Sequence, residues 1–177
     1  MKTELPHASG PGRRRAGGAI LVELALLLPL LMLLTLATVE FAQALAAYKG
    51  VVHQVRSAAR YLSTQAPGTG HVQAECLLTH GSISSAKPCS GAVLLPGFAA
   101  SGFSVSISDA LNAPATHRAQ RSSTDATVAT ATTLNLVSVT ASGYPHSLHF
   151  AVFLSGMLGG LTVITFEPIS LTMRQTL

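Results

Sequence analysis

The sequence predicts an α+β protein in which a long N-terminal transmembrane α-helix precedes a small antiparallel β-rich ectodomain. Three observations lead to this fold class. From Ala19 to Phe41, 18 of 23 residues are apolar, and ten of these are Leu. Helical spacing of apolar residues then continues as far as Leu62. After Pro67 the composition changes to Ser, Thr, Gly and Ala, and stretches with strand-like alternation follow.

The composition is poor in charge. Only 18 of the 177 residues are charged, which is 10%, against roughly 25% in an ordinary soluble domain. Mean hydropathy is +0.45. These values disfavour a disordered chain and a freely soluble enzyme. The net charge is +4, but apart from Arg13–Arg15 most basic residues stand singly, so we expect no nucleic-acid partner.

Residues 19–41 are the predicted transmembrane helix. The stretch Leu24–Val39 is uncharged, and together with the residues before it reaches the ~20 residues that a bilayer requires. Pro29 lies inside the run, where a membrane helix tolerates a kink. Lys2 and Arg13–Arg15 precede the helix, so the sequence predicts a cytoplasmic N-terminus and an extracytoplasmic remainder.

A cleaved secretory signal is the alternative for this segment. Ala44-Leu45-Ala46 has the small-x-small pattern of a cleavage site, and Arg13–Arg15 would serve as the basic region. Against it, the apolar run exceeds the 7–15 residues typical of a signal, and Glu40 lies just before the candidate site. A domain secreted after Ala46 therefore stays open as the less favoured interpretation.

Glu23 is the most informative residue of the run. A carboxylate in an apolar helix costs about 2.5–3.5 kcal/mol at the bilayer centre and less near its edge. It could simply extend towards the interface or be protonated there. If the chain is cut after Gly18, however, Ala19 becomes the N-terminus and Glu23 the fifth residue. One helical turn then separates the carboxylate from its own α-ammonium, and a neighbouring subunit's ammonium is an equivalent partner.

These features together resemble a known family. A basic leader, a Gly before the cut, Glu at the fifth mature position and a long apolar helix are similar to a type IV prepilin. The run Val22–Leu31, followed by Val39–Phe41, more closely resembles the TadE-like pseudopilins of tight-adherence (Tad/Flp) pilus systems. Leu171–Arg174 resembles the closing strand of that family. Leu24 departs from the pattern, because such proteins often carry an aromatic residue there.

The resemblance implies a pilin-like minor pilin that takes part in assembly of a Flp pilus and supports adhesion or secretion. Residues 1–18 would be a cytoplasmic leader, removed between Gly18 and Ala19 by an aspartic prepilin peptidase of the inner membrane. Other pilin subunits and the pilus assembly platform would be the partners. Glu23 would set the register of assembly. The protein would be a single-pass inner-membrane protein with a periplasmic or extracellular C-terminal domain, and would become associated with the pilus.

Residues 42–66 are the predicted extension of the helix beyond the membrane. Apolar residues recur there at alternating spacings of four and three, which is a heptad seam. The seam could pack on the protein's own ectodomain, on neighbouring subunits, or on both. Its members are Phe41, Leu45, Tyr48, Val52, Val55, Ala59 and Leu62.

Residues 67–177 are the predicted β-rich ectodomain. Strand-like patterns occur at Val93–Leu95, Phe103–Ile107 and Thr127–Thr140, and Asn112–Asp125 is predicted to be an exposed loop. In the third strand the apolar parity changes after Leu136, which predicts a bulge or a strand buried on both faces.

Cys76 and Cys89 are the only cysteines. An extracytoplasmic setting favours a disulfide between them. A metal site would need more ligands, and His71 and His80 do not have ligand spacing. We therefore expect neither a metal nor a cofactor.

Phe150–Phe166 is a second apolar run with a GxxxG motif at Gly156 and Gly160. It could be a second membrane helix with a packing face. Its glycines and the β-like tail Thr162–Thr165 argue against such a helix. The family resemblance implies an apolar loop leading into a terminal hairpin here.

The sequence contains no catalytic motif. It lacks GxSxG, HExxH, P-loop and GxGxxG patterns, and His146 and His149 beside Ser147 do not make a triad. We expect neither catalytic residues nor a small-molecule substrate. The alternative function is an unprocessed, signal-anchored periplasmic protein that scaffolds an envelope complex or binds a partner within it.

Overall fold

The described part of the chain comprises residues 14–120, 133–148 and 163–176 of a computed structural model. The chain divides into two compact units, Met1–Phe41 and Ala42–Leu177. Each unit is described by itself below. Helix α1 supplies the described residues of the first unit and the first element of the second.

Helix α1 spans Arg14–Ser63, a length of 50 residues with Pro29 inside it. Its apolar part is rich in Leu and Ala, which have high helix propensity. The hydroxyl groups of the two threonines in that part donate hydrogen bonds to backbone carbonyls of the same helix. Thr35 donates to the carbonyl of Met32 at 2.9 Å, and Thr38 donates to that of Thr35 at 2.7 Å. These bonds leave no hydroxyl of the apolar stretch without an acceptor, as an apolar medium requires.

Helix α2 spans His71–His80 and was not predicted. Gly70 and Gly81 flank it in the left-handed conformation, which glycine adopts without steric cost. The strand predicted at Val93–Leu95 is wrong. This segment is irregular and leads into a 3₁₀ turn at Pro96–Ala99, because Pro96 cannot donate to a strand ladder.

The main sheet of the described residues is antiparallel and centred on one long strand. Strand β3 (Thr133–Ser142) pairs with β1 (Ser104–Asp109) along one edge and with β6 (Ile169–Arg174) along the other. In this register Ile107, Val139 and Leu171 are opposite one another. The strand prediction at Phe103–Ile107 is confirmed. The predicted strand Thr127–Thr140 begins at Thr133, and residues 127–132 lie outside the described part.

The parity change in β3 coincides with a change of partner. Its first residues pair with the short strand β2 (Arg118–Gln120), so that Leu134 is opposite Ala119. From Leu136 onwards β3 pairs with β6, and from Val137 also with β1. Leu134 and Leu136 lie on the face opposite Val137 and Val139 and are half-buried, whereas the two valines are fully buried.

The segment Asn112–Asp125 is exposed at Asn112 and Pro114–Thr116 as predicted, but the prediction of a loop is wrong over much of its length. It contains a one-turn helix α3 at Pro114–His117 and strand β2. Pro114 begins the helix, a position where a missing N–H costs nothing. Residues 121–125 lie outside the described part of the chain.

A second, two-stranded sheet pairs β4 (Pro145–Ser147) with β5 (Val163–Thr165). Gly143 makes the turn before it at a φ of +74°, where a Cβ would collide with the backbone of Gly102. The second apolar run therefore ends as a strand. Residues 150–162, on which the possible second membrane helix falls, lie outside the described part.

The core of the ectodomain lies between α1, α2 and the main sheet. The Cys76–Cys89 disulfide, with a Cα–Cα distance of 5.3 Å, joins α2 to the loop that follows it. Phe98, Phe103 and Tyr144 form edge or tilted ring contacts at one end of this core. The buried apolar core residues are Val51, Val55, Ala58, Ala59, Leu62, Ala74, Leu78, Phe98, Val137, Val139, Ala141 and Tyr144.

Candidate assembly interface

Helix α1 exposes a continuous apolar surface in the first unit. Its large apolar side chains between Ile20 and Val39 are 40–73% exposed. It is the one helix among the described residues that is long and apolar enough to cross a membrane, with a mean hydropathy of 2.6 and no part of its apolar window buried. A signal sequence near an N-terminus can have the same length and hydropathy. An exposed surface of this size requires lipid or other helices to cover it.

The two carboxylates of this segment differ in their surroundings. Glu23 is exposed, whereas Glu40 is 8% exposed. Gly18 and Ala19, the predicted processing site, lie in the first turns of α1. Because Glu23 is exposed, its carboxylate is accessible to a positively charged group on another molecule.

The predicted seam divides into two parts. Phe41, Leu45 and Tyr48 are 72%, 41% and 43% exposed, whereas the last three members are at most 1% exposed and belong to the core. Val52 is half-buried between them. Its C-terminal part therefore packs on the protein's own ectodomain, and its N-terminal part continues the exposed apolar surface of α1. The buried members are Val55, Ala59 and Leu62.

Gln175 and Thr176, the tail that follows β6, form hydrogen bonds at the C-terminal end of α1. The backbone N–H of Thr176 donates to the carbonyl of Ser63 at 3.0 Å, and the side-chain amide of Gln175 donates to Leu62 and Gln65 at 3.3 and 3.4 Å. The last carbonyls of a helix have no partner within the helix. The tail supplies partners to the carbonyls of Leu62 and Ser63, so α1 is attached to the sheet through β6 as well as through its buried side chains.

Asp109, at the end of β1, makes a second attachment to the chain that follows α1. Its Oδ2 accepts from the backbone N–H of Gly68 at 2.7 Å and from Nε2 of His71 at 2.8 Å. Its Oδ1 accepts from the backbone N–H groups of Leu111 and Asn112 at 2.9 and 3.1 Å. The side chain is fully buried, and each carboxylate oxygen has two donors.

These bonds set the ionisation of Asp109. Burial acts to raise the pKa of the carboxyl, but the hydrogen bonds from Asn112, Gly68, His71 and Leu111 favour the charged form and lower its pKa to about 2. Asp109 is therefore a structural carboxylate that stays ionised. It was missed because its partners Gly68 and His71 lie 41 and 38 residues earlier in the sequence.

Among the described residues, no group of three or more His, Cys, Asp or Glu side chains could hold a metal. His71 is engaged with Asp109, while Nδ1 of His80 lies 2.7 Å from the hydroxyl of Thr79. His146 stacks on Phe166, with ring centroids 6.1 Å apart. His71 and His80 thus bond to different residues, and His146 lies beside the aromatic ring of Phe166.

The helix that carries the exposed surface, the seam and Glu23 is also the part of the chain that matches a known family. Residues 18–60 match the model of the TadE-like protein family. No curated protein and no solved structure matches the chain.

The TadE-like segment corresponds to α1 from Gly18 almost to its end. It contains the exposed apolar residues between Ile20 and Val39 and four of the buried residues that fix the helix to the ectodomain: Val51, Val55, Ala58 and Ala59. The match agrees with the resemblance found in the sequence. The TadE-like family is structural rather than enzymatic, and the one long apolar helix among the described residues fits single-pass anchoring in a membrane.

Proposed function

We propose that this protein is a minor pilin, or pseudopilin, that takes part in assembly of a Flp-type pilus. One observation carries the proposal: the TadE-like segment is a single helix, exposed and apolar at one end and built into a folded domain at the other. A subunit that is stored in a membrane and later packed among neighbouring helices needs both properties.

In this proposal the subunit is processed before it assembles. A prepilin peptidase of the inner membrane removes residues 1–18 and leaves Ala19 as a new α-ammonium. The N-terminus then faces the cytoplasm, and the ectodomain lies in the periplasm. The cut also removes Arg13–Arg15, whose charges would hold the end of the helix on the cytoplasmic side.

Assembly exchanges lipid for neighbouring helices around α1. Lipid tails are as apolar as Leu, so this exchange alone contributes little free energy to association and little specificity. An ion pair between Glu23 of one subunit and the α-ammonium of Ala19 on the next supplies specificity, because a carboxylate in an apolar bundle is costly without a partner. The pair fixes the axial register of neighbouring subunits.

Substitution of Glu23 tests this role. We expect Glu23→Ala and Glu23→Leu to insert into membranes like the wild type, but to reach sheared pili or the assembly complex at about one-tenth of the wild-type amount, the equivalent of about 1.4 kcal/mol. Incorporation is measured by immunoblotting of both fractions. Glu167→Ala, which removes an exposed carboxylate of the ectodomain, is the matched control. Normal incorporation of both Glu23 variants would show that the residue does not set the register.

The genes beside this one give a second test of the system. The proposal expects an adjacent prepilin peptidase, secretion ATPase and secretin. An unprocessed periplasmic scaffold has no requirement for the peptidase.

A further inference from the structure

Strand β1 forms one edge of the main sheet. Among the described residues it pairs along one side only, with β3. An edge strand presents backbone N–H and C=O groups on its outer side, and these groups can pair with another chain. In an antiparallel sheet, alternate residues direct their N–H and C=O groups to opposite sides of the strand. Every second residue of β1 therefore presents both groups on the outer side.

The side chain of Asn112 identifies these outward residues. Its Oδ1 accepts from the backbone N–H of Asp109 at 2.7 Å, and its Nδ2 donates to the carbonyl of Ile107 at 3.0 Å. Since both groups bond to Asn112 instead of β3, Ile107 and Asp109 are outward residues, and Val105 shares their parity. The Asn112 amide takes the place of a neighbouring strand at this end of the edge.

The edge is unpaired around Val105. Within the described part of the chain, no hydrogen bond is made by the outward N–H and C=O of Val105 or by the N–H of Ile107. By the same parity, the bonds to β3 come from Ser104, Ser106 and Ser108. Three successive backbone groups on the outer side are thus able to pair with another chain.

A groove of about 440 Å³ lies beside the unpaired part of the edge. Ser104 and Val105 line it together with side chains from helix α2 and from the loop that the disulfide joins to α2. Phe98 and Phe103, whose ring centroids are 4.9 Å apart, supply its apolar part. Volumes of roughly 300–1,000 Å³ are typical of ligand-binding sites. Because a helix and a loop share the lining with the strand, the groove has room for one extended segment but not for the edge of a second sheet.

The charges of the groove are already balanced. Of the described residues that line it, Glu75 and Lys87 are the two charged ones, and Nζ of Lys87 lies 2.6 Å from Oε1 of Glu75. A partner that brought a further charge would compete with this ion pair. The groove therefore favours a segment without charged side chains.

The two faces of β1 specify which side chains an added strand needs. Val105 and Ile107 are half-buried and pack against the core, whereas Ser104 and Ser106, on the other face, are exposed. Residues that are opposite one another on neighbouring antiparallel strands point to the same face and contact each other. An added strand that continues both faces therefore has apolar residues alternating with Ser or Thr.

We propose that the edge of β1 at Val105, with the groove beside it, binds an extended, uncharged segment of a partner protein in which apolar residues alternate with Ser or Thr. The segment adds to the main sheet as a further antiparallel strand. Its apolar residue opposite Val105 exchanges two backbone hydrogen bonds with that residue, and Asn112 ends the pairing beyond Ile107. This site is additional to the helix packing of α1, so its failure would leave the proposed function untouched.

Hydrogen exchange of the full chain in detergent micelles tests strand addition. The probe is the peptide acetyl-Ser-Val-Ser-Ile-Ser-amide, and exchange at single amides is followed by NMR. We expect saturating peptide to slow exchange several-fold at Val105 and Ile107. The control amide is that of Thr172: because Gln175 donates its N–H to Asn135 of β3 at 2.8 Å, Thr172, of opposite parity, faces away from β3 at the other edge.

Three outcomes of this experiment would overturn the proposal. The first is unchanged exchange at Val105, and the second is equal slowing at Thr172, which would show non-specific association. The third is slow exchange at Val105 before peptide is added. The edge would then already be paired, by a second copy if the protection rises with protein concentration and by this chain itself if it does not.

N-methylated peptides test the register without changing the protein. The apolar residues of the peptide direct their N–H groups towards β1, because they are opposite Val105 in a hydrogen-bonded pair, whereas its serines direct theirs away. Methylation of the Val and Ile nitrogens should abolish the slowing at Val105, and methylation of the serine nitrogens should preserve it. Equal effects of the two modifications would contradict the assigned pairing.

A proline substitution makes the matching change in the protein. Val105→Pro removes the outward N–H but no bond to β3, and an edge strand tolerates Pro at such a position. We expect it to bind the peptide roughly tenfold more weakly than the wild type. Thr172→Pro makes the same change at the other edge and should bind normally. Circular dichroism establishes that both variants are folded, and wild-type affinity in folded Val105→Pro would overturn the proposal.

Discussion

Asp109 shows how one residue fixes the start of the ectodomain to its sheet. Two of its four hydrogen bonds hold Gly68 and His71, after α1, to the end of β1, and the other two come from the residues that follow β1. Because the bonds all favour the ionised carboxylate, they also make this attachment dependent on pH.

We expect Asp109→Asn to destabilise the ectodomain by about 2–4 kcal/mol, because an amide cannot accept from all four donors and leaves some of them buried and unpaired. Denaturant unfolding in detergent, followed by circular dichroism, measures the loss. Thr172→Ala, on the exposed face of β6, is the control and should change stability by less than about 1 kcal/mol. Equal stability of wild type and Asp109→Asn would contradict the role assigned to this carboxylate.

The acid dependence of this contribution follows from its lowered pKa. The folded-state pKa of Asp109 is about 2, below the ordinary value of 3.8 for this carboxyl. Its stabilisation is therefore fully present above the unfolded pKa and is lost as pH falls towards the folded one. The wild type should lose roughly 2 kcal/mol relative to Asp109→Asn between about pH 5 and pH 2. Parallel acid unfolding curves of the two proteins would refute this.

At the scale of elements, the main sheet has two chemically different faces. The inner face of β3 is buried and apolar, with Val137, Val139 and Ala141 at most 3% exposed. On its outer face, hydroxyl groups bond across the strands: Ser142 to Ser104 at 3.0 Å, Thr140 to Ser170 at 3.1 Å and Thr172 to Ser138 at 3.2 Å. Alternation in the sequence predicts the two faces, since side chains in a strand have a period of two.

Neighbouring positions of β3 should therefore respond differently to the same change. Val139→Ala leaves a cavity in the core and should cost about 2–3 kcal/mol. Thr140→Ala loses cross-strand contacts and should cost less than about 1 kcal/mol. Thermal unfolding of both variants measures the difference, and an equal cost would mean that the assigned register is wrong.

The tail after β6 is the other element whose role can be tested. We expect Gln175→Ala to lower stability by about 1–2 kcal/mol, because it removes donors to the carbonyls at the end of α1. Hydrogen exchange should become faster at the amide of Thr176, which donates to Ser63. Unchanged exchange there would show that the tail holds its place without Gln175.

At the scale of the whole molecule, the content of charged residues is low outside the apolar segment as well as within it. Outside Ala19–Phe41, 16 charges remain in 154 residues, still about one in ten, because Ser and Thr occupy the outer face of the sheet. A domain whose surface carries few charges is suited to packing closely among other subunits or against an envelope.

Patterns in the sequence predicted the elements that depend on neighbouring residues. The long apolar run and the heptad seam predicted α1, and the alternation in Phe103–Ile107 predicted β1. The unpredicted contacts join distant residues: Asp109 to Gly68, and Gln175 to Leu62. The parity change in β3 could be seen in the sequence, but the change of partner strand near it depends on tertiary pairing. Glu23 was found because a charge in an apolar run stands out without any structure.

The N-terminus of the mature protein is the most direct test of the proposed pilin. Protein extracted from the membranes of its own organism should begin at Ala19, as measured by intact mass and N-terminal sequencing, since the register contact needs an α-ammonium four residues before Glu23. A membrane protein that begins at Met1 would contradict processing and favour an unprocessed scaffold. A soluble domain that begins after Ala46 would contradict anchoring as well.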